Sequence, residues 1–249
     1  MKPCLLLLAV CVLAALPARA AEEVTNYDQC VALVEKNAAV AEERARAWRN
    51  IGGGAAATHC RALALTALKR YGDAAHELES LAQDRSIDNP SDRAALYDQA
   101  GNAWLLAGQA NEAERAFSAA LALLPNDIDL LTDRARARAL LKNWYGAETD
   151  LSAAIVQDQD RPDLLVLRAS ARRALGKKDG AAADIVRALA LYPDYPAALV
   201  ERGEMKYEVG DLNGARADWK KAAASHEGDA AAAARRDLEQ LGPEQKPLR

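Results

Sequence analysis

The same pattern of residues recurs at a fixed step of about 34 residues along most of the sequence. A small residue recurs at this step, at Gly101, Ala135, Ala169 and Gly203. Other positions keep the same step, with alanine at Ala113, Ala147, Ala181 and Ala215, a large apolar residue at Phe117, Leu151, Ile185 and Trp219, and alanine at Ala120, Ala154, Ala188 and Ala222. A fixed register without insertions is typical of stacked supersecondary units. It defines four units: 94–127, 128–161, 162–195 and 196–229.

A fifth, degenerate unit precedes these four. Its residues Ala62, Ala74, Leu78 and Leu81 lie farther before their counterparts than the fixed step alone would place them, so a short stretch is inserted between the units. The insertion falls near Asn89-Pro90, a pair typical of turns. We therefore predict a unit over 55–88 and a linker insertion over 89–93.

The residue composition favours helices. Alanine and leucine dominate the hydrophobic 51% of the chain, and there is a single phenylalanine. Valine and isoleucine, which are typical of strands, are sparse. A tight turn at Gly108-Gln109 separates two helical stretches within a unit. The formal net charge of −4 leaves no basic footprint for nucleic acid.

The repeat resembles the tetratricopeptide repeat (TPR) family. That family has a small residue at position 8, alanine at positions 20 and 27, an aromatic or aliphatic residue at position 24 and often proline at position 32. The residues above match, with Pro125 and Pro193 at position 32, although Gln159 and Glu227 replace that proline in two units. The resemblance covers 55–229. It implies an all-α fold, an α-solenoid of tandem helix-turn-helix units forming a right-handed superhelix.

Arginine at position 7, where the family usually has leucine, is followed by an acid at a fixed spacing, at position 23. The pairs are Arg61 with Glu77, Arg134 with Asp150, Arg168 with Asp184, and Arg202 with Asp218, whereas the unit with Ala100 has Ala116. The two positions lie equally far from the hairpin turn, so in antiparallel helices they are level. We predict structural ion pairs within each unit. If each acid instead paired with the arginine of the next unit, Arg134 and Asp218 would have no partner.

The first residues are predicted to be a secretory signal peptide, 1–20. Lys2 precedes an uncharged apolar run over 4–16, and Pro17 and an Ala-Arg-Ala cleavage pattern follow. A membrane anchor is the alternative, but the run is shorter than the ~20 residues that a spanning helix needs. We therefore predict an exported, periplasmic protein. A lipid anchor at Cys11 and an extracellular location are the alternatives.

Both ends of the repeat array are predicted to be capped. Helices within 21–54 cover the first unit, a helix over 230–241 covers the last, and 242–249 form a flexible tail. An exported chain with the even pair Cys30 and Cys60 is predicted to form a disulfide that joins the first cap to the array. Two free buried thiols are the alternative. A zinc site is disfavoured, because only His59 is near.

The sequence shows no catalytic, metal-binding or cofactor-binding motif. The three histidines are scattered, and the stretch over 157–163 lacks the glycine and distal glutamate of a calcium loop. The glycines over 52–54 are predicted to form a turn, because no Gly-Lys-Ser/Thr follows them. We therefore expect no enzyme activity, cofactor, small-molecule substrate or nucleic-acid partner, and membrane contact only through a partner.

The resemblance implies a concave groove, lined by the first helices, that binds a peptide or helix of another protein. The candidate groove residues are Asp98, Asn102, Leu105, Thr132, Arg136, Leu140, Ser170, Arg173, Glu204 and Tyr207. Arg136 and Arg173 lack an acid at the fixed spacing, so with Asn102 they are candidates to hold an acidic segment; a solvated surface is the alternative.

The sequence therefore predicts a non-enzymatic protein-protein interaction module of the cell envelope. The alternative is a structural accessory subunit of an envelope or secretion assembly, which uses its convex face or its ends. An enzyme whose site no motif reveals is a third, remote hypothesis.

Overall fold

Antiparallel helical hairpins follow one another along the chain. The computed structural model describes residues 24–225 and 228–242, and within them the regular secondary structure is helical. The helices are α1 (Tyr27–Lys36), α2 (Ala38–Trp48), α3 (Gly54–Ala67), α4 (Tyr71–Ala82), α5 (Pro90–Leu106), α6 (Ala110–Leu123), α7 (Ile128–Leu140), α8 (Trp144–Gln157), α9 (Pro162–Ala174), α10 (Lys178–Leu191), α11 (Pro196–Glu208), α12 (Leu212–Ala223) and α13 (Asp229–Leu241). The prediction of an all-α solenoid is confirmed, and the right-handed superhelix stays a prediction.

Each hairpin turn contains one residue with left-handed backbone at repeat position 15. Three units place glycine there, Gly108, Gly176 and Gly210, with φ between 73° and 82°. The other two place Lys69 and Lys142, each with φ of 59°. Glycine adopts this conformation freely, whereas a residue with a Cβ is strained by about 1–2 kcal/mol. The turn is therefore set by the backbone rather than by one residue type.

The predicted linker over 89–93 is wrong, because most of it is helical. α5 begins at Pro90 and has 17 residues, whereas α7 has 13. The Asn89 side chain accepts a hydrogen bond from the Ser91 N–H at 2.9 Å and so caps the helix. Proline is tolerated in the first turn, where its missing N–H has no helical partner. The inserted residues therefore lengthen α5 by one turn, and the loop lies over 83–89.

The two helices of a unit approach closely where a small residue faces a large one. A Cβ added to Gly101 would lie 2.5 Å from the Phe117 ring, and one added to Gly203 would lie 2.3 Å from the Trp219 ring. The units with smaller Leu151 and Ile185 at this position have alanine in place of the glycine. The two positions are thus matched in volume, as close packing requires.

The first unit is covered by α1 and α2, which both contact α3. Cys30 and Cys60 form a disulfide with a Cα–Cα distance of 6.2 Å, and both side chains are fully buried. His59 adds a second connection, since its Nδ1 lies 2.7 Å from the Tyr27 hydroxyl and its Nε2 lies 2.9 Å from Gln99 Oε1. The cap is therefore joined to α3 by the disulfide and by the Tyr27–His59 hydrogen bond, and His59 in turn connects α3 to α5.

The last unit is covered by α13, which packs on α11 and α12. It begins at Asp229, one residue before the predicted bound. The predicted signal peptide over 1–20 lies outside the described residues. So does the predicted tail beyond Gly242.

Candidate functional site

The first helices of the four regular units, α5, α7, α9 and α11, form a surface that we call the first-helix face. α5 contacts α7, and α9 contacts α11. All ten candidate groove residues belong to these four helices. Their positions along a helix differ, however, and the face divides into an apolar region near the hairpin turns and a charged region near the helix starts.

An apolar cavity of about 490 Å³ lies between α5, α7, α8 and α9. It is lined by Leu105, Ala135, Arg136, Ala139, Leu140, Trp144, Ala147, Leu151, Leu167, Ser170 and Ala171. Four of these are candidate groove residues. Leu140 is 66% exposed at its edge, and Leu106, the equivalent residue one unit earlier, is 60% exposed. The cavity with the exposed Leu140 at its edge is an apolar surface of the kind that binds a partner.

Carboxylates gather beside this cavity, nearer the helix starts. Burial raises the pKa of Asp98 to about 6, and the negative charges of Asp133, Asp127 and Asp129 contribute to that rise. The Asn102 amide donates to Asp98 Oδ1 at 3.2 Å, which opposes the shift only in part. Burial and the neighbouring carboxylates together therefore disfavour the ionised form of Asp98.

Arg136 and Arg173 lack an acid at the fixed spacing, as the sequence showed, but both have acidic partners elsewhere and are not available to hold an acidic segment. Arg136 donates to Asp133 Oδ1 at 2.7 Å on its own helix. Arg173 donates to Glu201 and Glu208 of α11, each at 2.6 Å. Burial alone would lower the pKa of Arg173, but the hydrogen bonds and charges of the two glutamates raise it. The spacing that links position 7 to position 23 could not reveal these partners, because they lie one helical turn away or in the next unit.

Three other candidate groove residues differ in their access to solvent. Thr132 is buried and donates its hydroxyl to the Ile128 carbonyl at 2.7 Å, so it cannot contact a partner. Burial and the charge of Asp237 raise the pKa of Glu204. Tyr207 is half exposed, and its ring packs at 5.8 Å from that of Trp219. Glu204 and Tyr207 therefore extend the face onto α11.

The position-7 arginines contact the acids of their own units. Arg134 donates from Nε and Nη2 to the two oxygens of Asp150 at 2.9 and 2.7 Å, and Arg168 and Arg202 bind Asp184 and Asp218 in the same way. The three aspartate side chains are only 3%, 5% and 7% exposed. These bidentate ion pairs join the two helices of a unit.

A second row of cations was not predicted. Arg138, Arg172 and Lys206, four residues after the position-7 arginines, bind the same aspartates at 2.7–2.8 Å. The first two also reach back to the preceding unit, where Arg138 contacts Glu114 at 2.7 Å and Arg172 contacts Glu148 at 3.1 Å. Burial of Asp218 opposes its ionisation, but its hydrogen bonds to both cations outweigh that effect and lower its pKa. In the sequence, a cation recurs four residues after each of these position-7 arginines, and this spacing could have revealed the second row.

The first unit holds a related cluster around Glu77. Arg61 contacts Glu77, as predicted for the within-unit register. Arg49 from the kink after α2 donates to the same carboxylate at 2.9 Å, and Arg61 also donates to Glu42 of α2 at 2.8 Å. This cluster therefore connects the N-terminal cap to the array, in addition to the disulfide.

Neither a metal site nor a membrane span emerges from the part of the chain that the structure describes. In residues 24–225 and 228–242, His, Cys, Asp and Glu side chains form no group of three or more that could hold a metal ion. Over the same residues, none of the helices combines the length and the apolar character that crossing a membrane requires.

Comparison with known proteins shows the fold. No protein-family model and no curated protein matches the sequence. Solved structures do: a tetratricopeptide repeat protein from Parabacteroides merdae has a TM-score of 0.59 at 18% identity, covering 86% of this chain and 84% of its own. The TPR protein TTC0263 from Thermus thermophilus has 0.56 at 21%, covering 72% and 94%, and MamA from Desulfovibrio magneticus has 0.56 at 18%, covering 72% and 92%.

These likenesses define the chain as a helical-repeat protein. More specifically, it has the TPR fold, which confirms the resemblance found in the repeated sequence pattern.

Proposed function

We propose that this chain is an exported, non-enzymatic protein-protein interaction module of the cell envelope. Its first-helix face binds a peptide or helix of another protein, as in a concave TPR groove. The observation that carries the proposal is the apolar cavity, which has the exposed side chain of Leu140 at its edge. Covering such a patch with apolar partner side chains is favourable by about 25 cal/mol per Å².

The charged residues support a binding role rather than catalysis. Asp150 and Asp184 each bind two arginines, so their carboxylate oxygens are engaged in contacts between helices. The arginines of the face, Arg136 and Arg173, are bound to carboxylates as well. These two arginines therefore offer nucleic acid no free positive charge.

Two features support the envelope setting. The apolar run over 4–16 and the small residues that follow it have the pattern of a cleaved secretory signal. A buried disulfide between Cys30 and Cys60 suits a protein that folds in an oxidising compartment. We therefore propose a periplasmic location. N-terminal sequencing of chain purified from an osmotic-shock fraction tests this, since processing between Ala20 and Ala21 is expected.

The alternative function is a structural accessory subunit that assembles through its convex face or its ends. Exposed apolar residues on the second helices favour it, namely Tyr145 and Val156 on α8 and Val186 on α10, each about 70% exposed. These residues do not line the cavity. Substitutions on the first-helix face would not affect the binding of a partner to these residues.

Affinity capture with two matched variants separates the two functions. The bait is the mature chain from Ala21, and bound proteins from envelope extract are identified by mass spectrometry. Leu140→Asp places a charge at the cavity edge, and Val156→Asp places one on α8, at side chains 66% and 72% exposed. Because both are exposed, we expect both variants to fold, which circular dichroism checks.

The proposal expects one partner to be retained by the wild type and by Val156→Asp and lost by Leu140→Asp. A partner that Leu140→Asp retains and Val156→Asp loses would refute binding on the first-helix face and support the accessory subunit. A partner that both variants retain would place the contact at the ends of the solenoid.

A further inference from the structure

The first-helix face carries an acidic cluster and an apolar cavity on the same stripe of each helix. On α5, Asp98, Asn102 and Leu105 are spaced by four and three residues, so they share one side of the helix. On α7, Asp133 and Leu140 are seven residues apart and share a side in the same way. Seven residues rise about 10 Å along a helix.

The cavity end accepts only apolar groups. Its lining is aliphatic and aromatic apart from Arg136 and Ser170. Its volume of about 490 Å³ lies within the roughly 300–1,000 Å³ of pockets that bury drug-sized ligands, so a large side chain has room there. A polar side chain placed there would lose its hydrogen bonds to water without replacement. The occupant is therefore a large apolar side chain.

The other end is negative beyond what helix capping requires. Asp127 caps α7 and Asp129 lies in its first turn, where acids stabilise the helix dipole. Asp98 and Asp133 lie past the first turn of their helices and have no such role. Arg136, bound to Asp133, is the cation that directly contacts this cluster among the described residues. Arg161 also interacts electrostatically with Asp129, but its ion pair is with Asp163 at 2.7 Å, so the four carboxylates keep a net negative charge.

The geometry points to a basic amphipathic segment as the partner. We propose that it places a large apolar side chain in the cavity and a lysine or arginine on Asp98 and Asp133, about 10 Å away. The inference rests on the proposed function, that the first-helix face binds another protein. It replaces the expectation of an acidic segment, because the arginines meant to hold that segment are already paired.

Charge complementarity selects this occupant. A cation beside Asp98 would relieve the repulsion that this carboxylate experiences from Asp127, Asp129 and Asp133. Farther along the face, the two carboxylates of Glu201 and Glu208 share a single cation, Arg173. A basic segment that continues toward α11 therefore meets no net positive charge.

Defined peptides test the proposal. The probes are short, fluorescein-labelled, alanine-based helices with leucine and lysine seven residues apart, a version with glutamate for lysine, and a version with serine for leucine. Fluorescence anisotropy measures the Kd for the chain from Ala21. We expect the leucine-lysine peptide to bind at least tenfold more tightly than either of the others, and its Kd to rise with salt.

Protein variants locate the contact. Asp98→Asn/Asp133→Asn removes two charges from the face and is expected to weaken the leucine-lysine peptide about tenfold. The control Asp160→Asn/Asp179→Asn removes two exposed charges elsewhere, in the α8–α9 turn and on α10, so the net charge is the same. It is expected to change the Kd less than twofold. Leu140→Asp is expected to weaken the leucine peptides at least tenfold.

Other outcomes overturn the proposal in different ways. Equal binding of the lysine and glutamate peptides, weakened by Leu140→Asp, refutes the basic partner and leaves the proposed function intact. Binding that Leu140→Asp does not affect refutes both. Absence of binding by every peptide refutes the basic segment. Sedimentation velocity covers the remaining occupant, since self-association lost in Leu140→Asp would mean that a second copy fills the face.

Discussion

Removing Asp184 tests whether the ion-pair rows hold the solenoid together. This carboxylate is 5% exposed and accepts three charge-assisted hydrogen bonds, from Arg168 at 2.9 and 2.6 Å and from Arg172 at 2.8 Å. In Asp184→Ala both arginines remain in place without it. Breaking a buried pair in this way costs about 3–5 kcal/mol. Arg172 keeps its contact with Glu148, so we expect the lower end, about 3 kcal/mol.

Asp194→Ala is the matched control. Asp194 forms an equally short ion pair with Lys221 at 2.5 Å, but the two side chains are 68% and 53% exposed. An exposed pair contributes about 0–1 kcal/mol, because water screens it and its side chains lose entropy. The two variants remove the same group and differ in burial, so the difference in their free energies of unfolding measures the effect of burying the contact.

Urea denaturation followed by circular dichroism measures both variants. With a slope of about 2 kcal/mol per M, Asp184→Ala should lower the midpoint by about 1–2 M and Asp194→Ala by less than about 0.5 M. Repeat arrays can unfold unit by unit, so hydrogen exchange should show the loss concentrated in α9 and α10. A cost for Asp184→Ala below about 1 kcal/mol, or no larger than that of the control, would refute the argument that these pairs are buried and structural.

Three further predictions follow from the packing and the charges. Cys60→Ser should destabilise the chain by about 3–4 kcal/mol in the chain-entropy model for a sequence separation of 30, with the increase in hydrogen exchange confined to residues 27–67. Gly101→Ala should cost about 1–3 kcal/mol in thermal unfolding, because the new Cβ would lie 2.5 Å from the Phe117 ring, and adding Phe117→Leu should recover part of that loss. Because the pKa of Asp98 is raised to about 6 in the folded chain, folding favours its protonated form, and this contribution to stability is full below about pH 4 and lost as the pH rises through about 6. Asp98→Asn should therefore stabilise the chain at about pH 7.5 by about 1 kcal/mol after allowance for screening, but not at about pH 4, and an equal effect at both pH values would contradict this.

Much of the architecture was readable from the sequence, because it depends on local rules that repeat. The fixed step that relates Gly101 to its counterparts reports one hairpin stacked many times. The coupled change of arginine and acid at positions 7 and 23 reports a contact between helices that are level across a hairpin turn, as with Arg134 and Asp150. The inserted residues near Asn89-Pro90 were misassigned as a linker, because the same dipeptide suits a turn and a helix start.

The candidate site was less predictable, because its contacts join different units. Arg173 finds its acids 28 and 35 residues away, on α11, and nothing in its own unit signals them. Thr132 occupies a groove position in the repeat numbering, yet it is buried and its hydroxyl bonds to its own helix.

The sequence by itself determined the helical repeat, the turn positions and the pairing within each unit, since these follow from residue spacing along one hairpin. Only the tertiary structure decided which charges stay free on the first-helix face and that an apolar cavity of about 490 Å³ opens beside them. The physical reason is that both depend on how neighbouring units stack. Stacking brings Arg173 to Glu201, gathers three carboxylates around Asp98 and leaves a space that no single unit encloses.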